Sequence, residues 1–301
     1  MPPDVVELNG FGDKIPVSVL VRVFLIRATD SSIFQTLGRF HPSGPEAFKE
    51  EVEKAFALLS RGDHFHYLFT DRDGTLKSYS CSYPASIQPA YSAVIQAQFA
   101  RRCAQFCAIV TTSPLMHIGI LNVSSMPEGY YAYGASAGRE WYMNPAMQFK
   151  DDTINEEDLA LLNNVVNKAP YEAVNKIVDE VDPTGSTLTL RESDYDLKIF
   201  TKAKLSGRIF NKGHGIRLIE RKMGLKMNEG RILVCECLAC SPKNVYTIWV
   251  TSNPQLQEKV RSSCTAYGND NFVFVSCPEW PLVVLERFKL RSVISSLEGT
   301  E

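Results

Sequence analysis

At 301 residues, with 45% hydrophobic and 22% charged side chains, the chain has an ordinary globular composition and room for two modest domains. A formal net charge of −2 provides no basic surplus to attract nucleic acid or acidic lipid. The opening "MPPDVVELNGFGDKIPV" has no basic leader, and the apolar stretch Ile15–Ile26 carries Arg22 and is too short to cross a bilayer, so a cytoplasmic protein is expected.

Residues 1–62 read as an N-terminal extension with one apolar run and one helix. In "GPEAFKEEVEKAFALLSRG", Phe48, Val52, Phe56 and Leu59 recur at helical spacing, and Gly62 is placed to stop the helix. "HFHYLF" then reads as a buried strand, "PAYSAVIQAQFARRC" as a helix, and "FCAIV" as a second strand ending in Thr111, Thr112 and Ser113. This alternation predicts an α/β fold, a Rossmann-like parallel sheet covered by helices. In such sheets ligands gather at the carboxyl ends of the strands.

After "GYYAYGASAGREWY" the composition shifts. "DDTINEEDLALLNNVVNKAPYEAVNKIVDEV" has two helical stretches, and "STLTLRE" and "YDLKIF" read as short strands. Residues 145–205 are therefore expected to form a small α/β unit inserted into a core made by residues 63–144 and 206–301. Alternation resumes with "NKGHGIRLIERKMG" as a helix and "RILVC" and "NVYTIWVT" as strands. "NPQLQEKVRSS" follows as a helix, "NFVFVS" as a strand, and the region of "WPLVVLERFKLRSVISSL" as a last helix.

Eight cysteines without an export signal are expected to be free thiols. Their one cluster, Cys235, Cys237 and Cys240 in "CECLAC", has no second ligand pair nearby to complete a tetrahedral zinc site.

The string "FTDRDGT" ends a buried strand in Asp71 and Asp73. Two carboxylates at one low-dielectric point repel each other, a strain that a divalent cation would relieve. The same string also suits a capped turn, since Asp and Gly are common turn formers. The hydroxyls after the next strand would suit a phosphate. Lys212, in "NKG" at a helix opening, would join the helix N-terminus in favouring an anion.

"DRDGT", "IVTT", "NKG" and the inserted unit together resemble a haloacid dehalogenase-type phosphatase with an α/β cap. More narrowly, "FTDRDGTLKSYSCSYPASIQPAYSAVIQAQFARRC", "GASAGREWY" and "CLACSPKNVYTIWV" resemble the nematode trehalose-6-phosphate phosphatases, over about residues 63–301. The resemblance implies hydrolysis of trehalose 6-phosphate to trehalose and phosphate through an aspartyl-phosphate. Asp71 would be the nucleophile and Asp73 the general acid and base. Thr112, or Thr111 one residue earlier, would hold the phosphoryl group, and Lys212 would neutralise its charge. Mg²⁺ would be held by the Asp71 carboxylate and the backbone carbonyl of Asp73. For the sugar, Arg139 at the cap entrance and Glu192 and Lys198 on the cap strands are the candidates.

In one place the sequence departs from that pattern. The family's fourth motif, a Gly-Asp followed by another Asp, should come after "RILVC", but the text runs "RILVCECLACSP". Glu236 is the one carboxylate at that strand end, and impaired activity is expected. A catalytically silent sugar-phosphate-binding isoform and a phosphotransferase of the same superfamily are the alternatives.

Overall fold

The computed structural model describes residues 5–7, 14–16, 38–39, 41–61, 64–78, 86–116, 119–152, 156–158, 160–161, 174–184, 188–192, 197–203, 208–235, 244–278, 281–285 and 288. The chain divides into two compact units. Unit 1 is Met1–Cys107, Ser125–Tyr130 and Asn228–Glu301; unit 2 is Ala108–Ser124 and Tyr131–Met227.

Unit 1 opens with a short antiparallel pair, β1 (Val5–Glu7) and β2 (Lys14–Pro16), then helix α1 (Pro45–Leu59). Strand β3 (Phe65–Thr70), helix α2 (Ala90–Cys103) and the first residues of β4 (Ala104–Val110) follow. After unit 2 the chain returns with β11 (Ile232–Cys235), β12 (Val245–Val250), helix α6 (Pro254–Ala266) and β13 (Phe272–Val275). These strands lie in the order β13-β12-β11-β3, and each neighbouring pair is parallel. The burial fits that pairing: β11 is buried at all four positions, as strands covered on both faces should be.

The core of this unit is aromatic. Phe65 meets Phe99 of α2, Tyr246 of β12 and Phe288, at ring-centroid distances of 6.4, 5.9 and 5.4 Å. The Arg231 guanidinium covers the rings of Phe65 and Tyr246 at 4.3 and 4.4 Å. It also donates to the carbonyls of Leu59 and His64, joining the end of α1 to the starts of β3 and β11.

Helix α1 bears out the spacing read from sequence at Phe48, Val52 and Leu59, all buried; Phe56 is only half-buried, and Ala55 and Leu58 complete the face. The helix packs on β13. Glu51 Oε2 accepts from the backbone N–H and the hydroxyl of Ser276, just past β13, and His41 Nε2 lies 2.8 Å from that hydroxyl. His41 and helix α1 are thus tied to the end of β13.

Unit 2 contains the end of β4, the short helix α3 (Ile120–Val123) and β5 (Ala132–Ala135) parallel to β4. A hairpin of β6 (Glu140–Asn144) and β7 (Met147–Lys150) continues antiparallel from β5. The sequence reading missed this hairpin because "GREWYMNPAMQFK" shows no clean alternation: β7 is largely exposed, while Trp141 of β6 is fully buried. Helix α4 (Val174–Val181) precedes a three-stranded antiparallel sheet in the order β10-β9-β8, formed by β8 (Leu188–Glu192), β9 (Leu197–Ala203) and β10 (Arg208–Ile209). Helix α5 (Lys212–Met223) closes the unit. The α/β class and the parallel pairing expected from the sequence are those of the structure.

Candidate active site

Asp71 follows the last residue of β3, where the ladder to β11 pairs Thr70 with Cys235. Its N–H extends that ladder by donating to the carbonyl of Cys235 at 3.2 Å. The chain then turns tightly around one acceptor: the N–H groups of Thr75, Leu76 and Lys77 all donate to the carbonyl of Arg72. Gly74 closes the turn with φ of 81°, a conformation that strains residues carrying a Cβ. Asp71 and Asp73 are both half-buried, and Asp71 Oδ1 accepts from the N–H of Arg72 at 2.7 Å.

Between the two aspartates stands Arg72, whose side chain is wholly buried. Its Nε donates to Asp73 Oδ2 at 3.1 Å, and its Nη2 donates to Oδ1 and Oδ2 at 3.0 and 2.8 Å. The hydroxyl of Ser86 donates to Asp73 Oδ1 at 2.6 Å and accepts from Arg72 Nη2 at 3.1 Å. A carboxylate has about four lone-pair sites, and these three donor atoms make four contacts to its oxygens. The cation that the sequence called for beside Asp73 is supplied, in this geometry, by the protein itself. Sequence reasoning missed both partners. Arg72 was in plain view inside "DRDGT", but Ser86 lies 13 residues downstream and gives no local signal.

In unit 2, β4 ends in a turn of hydroxyl residues. Thr111 is buried; its Oγ1 accepts from the N–H of Ser113 at 3.2 Å and lies 3.3 Å from the Ser113 hydroxyl. Thr112 is half-buried, which makes it the more accessible of the two. A second turn, Ser136–Gly138, packs over this strand end. The N–H of Ala137 donates to the carbonyl of Thr111 and that of Ser136 to the carbonyl of Ser113, both at 2.7 Å. Ser136 and Ala137 both have positive φ, 51° and 60°, so the turn holds backbone strain.

Helix α5 docks on the same turn. A Cβ on Gly215 would fall 2.5 Å from the Cα of Gly138, so only glycines allow this approach. Asn211 caps the helix, its side chain accepting from the N–H of His214 at 3.1 Å. Lys212 is the first helical residue, half-buried. Unit 2 therefore places Thr112 and Lys212 on two elements that both pack on the strained Ser136–Gly138 turn.

Comparison with known proteins gives this arrangement a family. Residues 68–170 and 167–280 match the family described as trehalose-6-phosphate phosphatase, C-terminal. The chain belongs to that family. It is 50% identical over 300 residues to the Caenorhabditis elegans protein named alpha,alpha-trehalose-phosphate synthase [UDP-forming] 1, a match covering 81% of this chain and 22% of that protein. The chain thus spans about a fifth of the length of this relative. A Brugia malayi trehalose-phosphatase is 26% identical over 312 residues, covering 82% of this chain and 63% of the relative. In fold, the chain is similar to the C-terminal domain of Candida albicans trehalose-6-phosphate phosphatase, with a TM-score of 0.51 at 10% identity, covering 79% of this chain and 96% of that one.

The other residues singled out in the sequence lie as follows. Arg139 is buried, with Nη1 donating to Asp151 Oδ2 at 3.0 Å and its guanidinium carbon 4.0 Å from the centre of the Phe210 ring. A sugar contact by Arg139 would have to share the guanidinium with these two partners. Glu192 pairs with Leu197 and Arg191 with Lys198, so Glu192 and Lys198 sit on adjacent rungs of the β8–β9 ladder.

Glu236, Cys237, Cys240 and Gly62 lie outside the described residues. Cys235 is buried at the end of β11 and forms no disulfide. Among the described residues, no group of three or more His, Cys, Asp or Glu is placed to hold a metal ion. Mg²⁺ demands near-octahedral oxygens. The Asp71 carboxylate and the Asp73 backbone carbonyl would supply two of those oxygens, and among the described residues no cluster of carboxylates completes the set. Among the described residues no helix is long and apolar enough to cross a membrane.

Proposed function

We propose that the chain is the phosphatase portion of a trehalose-metabolising protein, acting on trehalose 6-phosphate to give trehalose and phosphate. The observation that carries this reading is the Phe69–Lys77 loop. It sets Asp71 at the carboxyl end of a buried parallel strand and holds it there by the Cys235 carbonyl and the Arg72 N–H. Family membership supports the reaction class, and relatives named trehalose-phosphatase support the substrate.

In this reading the Asp71 carboxylate attacks phosphorus, forming an acyl-phosphate bond as the bond to the sugar oxygen breaks. Asp73 gives a proton to that oxygen and then takes one from the water that releases phosphate. To do so it must give up one of the four hydrogen bonds from Arg72 and Ser86. Thr112 and Lys212 are assigned, from the family pattern, to hydrogen-bond and neutralise the phosphoryl oxygens. Residues 145–205 are assigned as the cap, with Arg139, Glu192 and Lys198 as its sugar-contacting candidates. A cytoplasmic setting belongs to the same reading, in keeping with Cys103, Cys107, Cys235 and Cys264, none of which forms a disulfide.

Phosphate release measured across a panel of sugar phosphates tests the substrate. A wide preference for an ester other than trehalose 6-phosphate ends that part of the reading. A second reading, sugar-phosphate binding without turnover, is favoured by the saturated Asp73 carboxylate and by the fourth motif's absence from the sequence. Isothermal titration separates the two: a silent chain binds trehalose 6-phosphate and releases no phosphate when Mg²⁺ is added.

A further inference from the structure

Asp151 and Phe210 bracket the segment that the sequence suggests is an insertion, and both ends, its stems, belong to unit 2. The first stem leaves β7 and reaches Asp151. The second leaves β10 and reaches Phe210, just before the Asn211 cap of α5. Arg139 touches both. Its Nη1 donates to Asp151 Oδ2 at 3.0 Å, and its guanidinium lies over the Phe210 ring at 4.0 Å.

The backbone reinforces the first contact, since the N–H of Asp151 donates to the Arg139 carbonyl at 2.7 Å. All three residues are buried. Burial pulls the Arg139 guanidinium below its ordinary range, while the carboxylates of Asp151 and Asp158 draw it back up. Phe210 in turn rests on the His214 ring, with centroids 5.3 Å apart, and His214 forms the capping box with Asn211. Lys212 lies between those two capping residues in the chain.

We propose that Arg139 is a positioning residue that clamps the two stems of the insertion to each other and to the first turn of α5. A displacement of the insertion is thereby passed to the helix start that carries Lys212. A guanidinium suits this task because an N–H on its edge reaches a carboxylate while its flat face stacks on a ring; a lysine ammonium cannot do both at once. The clamp does not depend on the phosphatase reading, because it can be read without turnover.

Hydrogen exchange with mass spectrometry on the full chain tests it. Asp151→Asn removes the charge partner on the first stem alone. Its amides at 150–152 are expected to exchange about tenfold faster, and those at 209–216 to follow. In an Arg139→Met background the same substitution should add nothing at 209–216. Arg139→Lys should regain protection at 150–152 but not at 209–216. If Asp151→Asn speeds exchange only at 150–152, or affects 209–216 equally in both backgrounds, the stems are independent and the proposal fails. Should Arg139→Met not fold, Phe210→Leu approaches from the other stem. Faster exchange at 150–152 supports the clamp, and unchanged exchange there overturns it.

Discussion

With Nε and Nη2 of Arg72 and the hydroxyl of Ser86 on its two oxygens, the Asp73 carboxylate begins any reaction with its acceptor sites occupied. Arg72→Met would leave Asp73 without its cation in a largely buried place. Breaking a buried pair from one side costs about 3–5 kcal/mol, and the low end applies because Asp73 keeps 14% of its side chain exposed. Urea unfolding should show that loss, whereas an unchanged midpoint would mean the clamp contributes nothing to the fold. Ser86→Ala removes one hydrogen bond and should cost about 1 kcal/mol.

His64 gives a pH dependence at the same scale. Burial, then the charges of His66 and Arg231, lower its folded pKa below the ordinary 6.5. As pH falls below about 6.5, the unfolded chain therefore takes up a proton that the folded chain refuses, and stability declines until the folded pKa is passed. His64→Gln should flatten that part of a stability profile between pH 7 and 5. A profile that keeps its slope assigns the effect to another group.

At the scale of elements, two contacts in unit 2 and one in unit 1 are open to direct test. Helix α5 and the Ser136–Gly138 turn touch backbone to backbone through Gly215 and Gly138. Gly215→Ala puts a methyl 2.4 Å from the carbonyl oxygen of Ala137 and 2.5 Å from the Cα of Gly138. Overpacking of this kind costs about 1–3 kcal/mol, and the helix start must move away from the turn. Thermal unfolding reads the cost, and a melting temperature equal to that of the unaltered chain would show that the turn yields freely. The second contact is the Arg139 clamp. In unit 1, α1 relies on Phe48, which is 1% exposed, so Phe48→Ala should cost about 3–5 kcal/mol. That loss would be absent if the N-terminal region were an appendage rather than part of the sheet unit.

For the whole molecule the decisive question is whether a member of the trehalose-6-phosphate phosphatase family can work without the acidic motif after β11. The sequence passes directly from Cys235 to Glu236, and the described donors do not make a magnesium site. The chain as it stands is expected to release little or no phosphate from trehalose 6-phosphate at Mg²⁺ on the order of millimolar. Inserting a Gly-Asp…Asp segment between Cys235 and Glu236 should restore release. Equal rates from the two chains would sink this expectation and point to Glu236 or another residue as the missing ligand. In the restored chain, Asp71→Asn should abolish turnover, because an amide cannot form the acyl phosphate, and retained activity would overturn the aspartyl-phosphate route.

The sequence by itself determined the class of fold and the family. Buried parallel strands are written as short continuous apolar runs, and "HFHYLF", "RILVC" and "NVYTIWV" all became such strands. It also determined the turn after β3, since Gly74 in "DRDGT" is a local requirement of positive φ. What only the tertiary structure decided is how charged groups are shared. Arg72 carried no reading in the sequence and Arg139 was a candidate sugar contact, yet both are buried, one holding Asp73 with Ser86 and the other joining Asp151 to Phe210. Their partners range from the adjacent residue to one 71 positions away, and no periodicity or spacing rule records a pairing that folding alone brings within hydrogen-bond reach. The β6–β7 hairpin was hidden for a related reason: Trp141 is buried because Gly134 on the neighbouring strand leaves room for its ring, a fit between strands that neither segment shows alone.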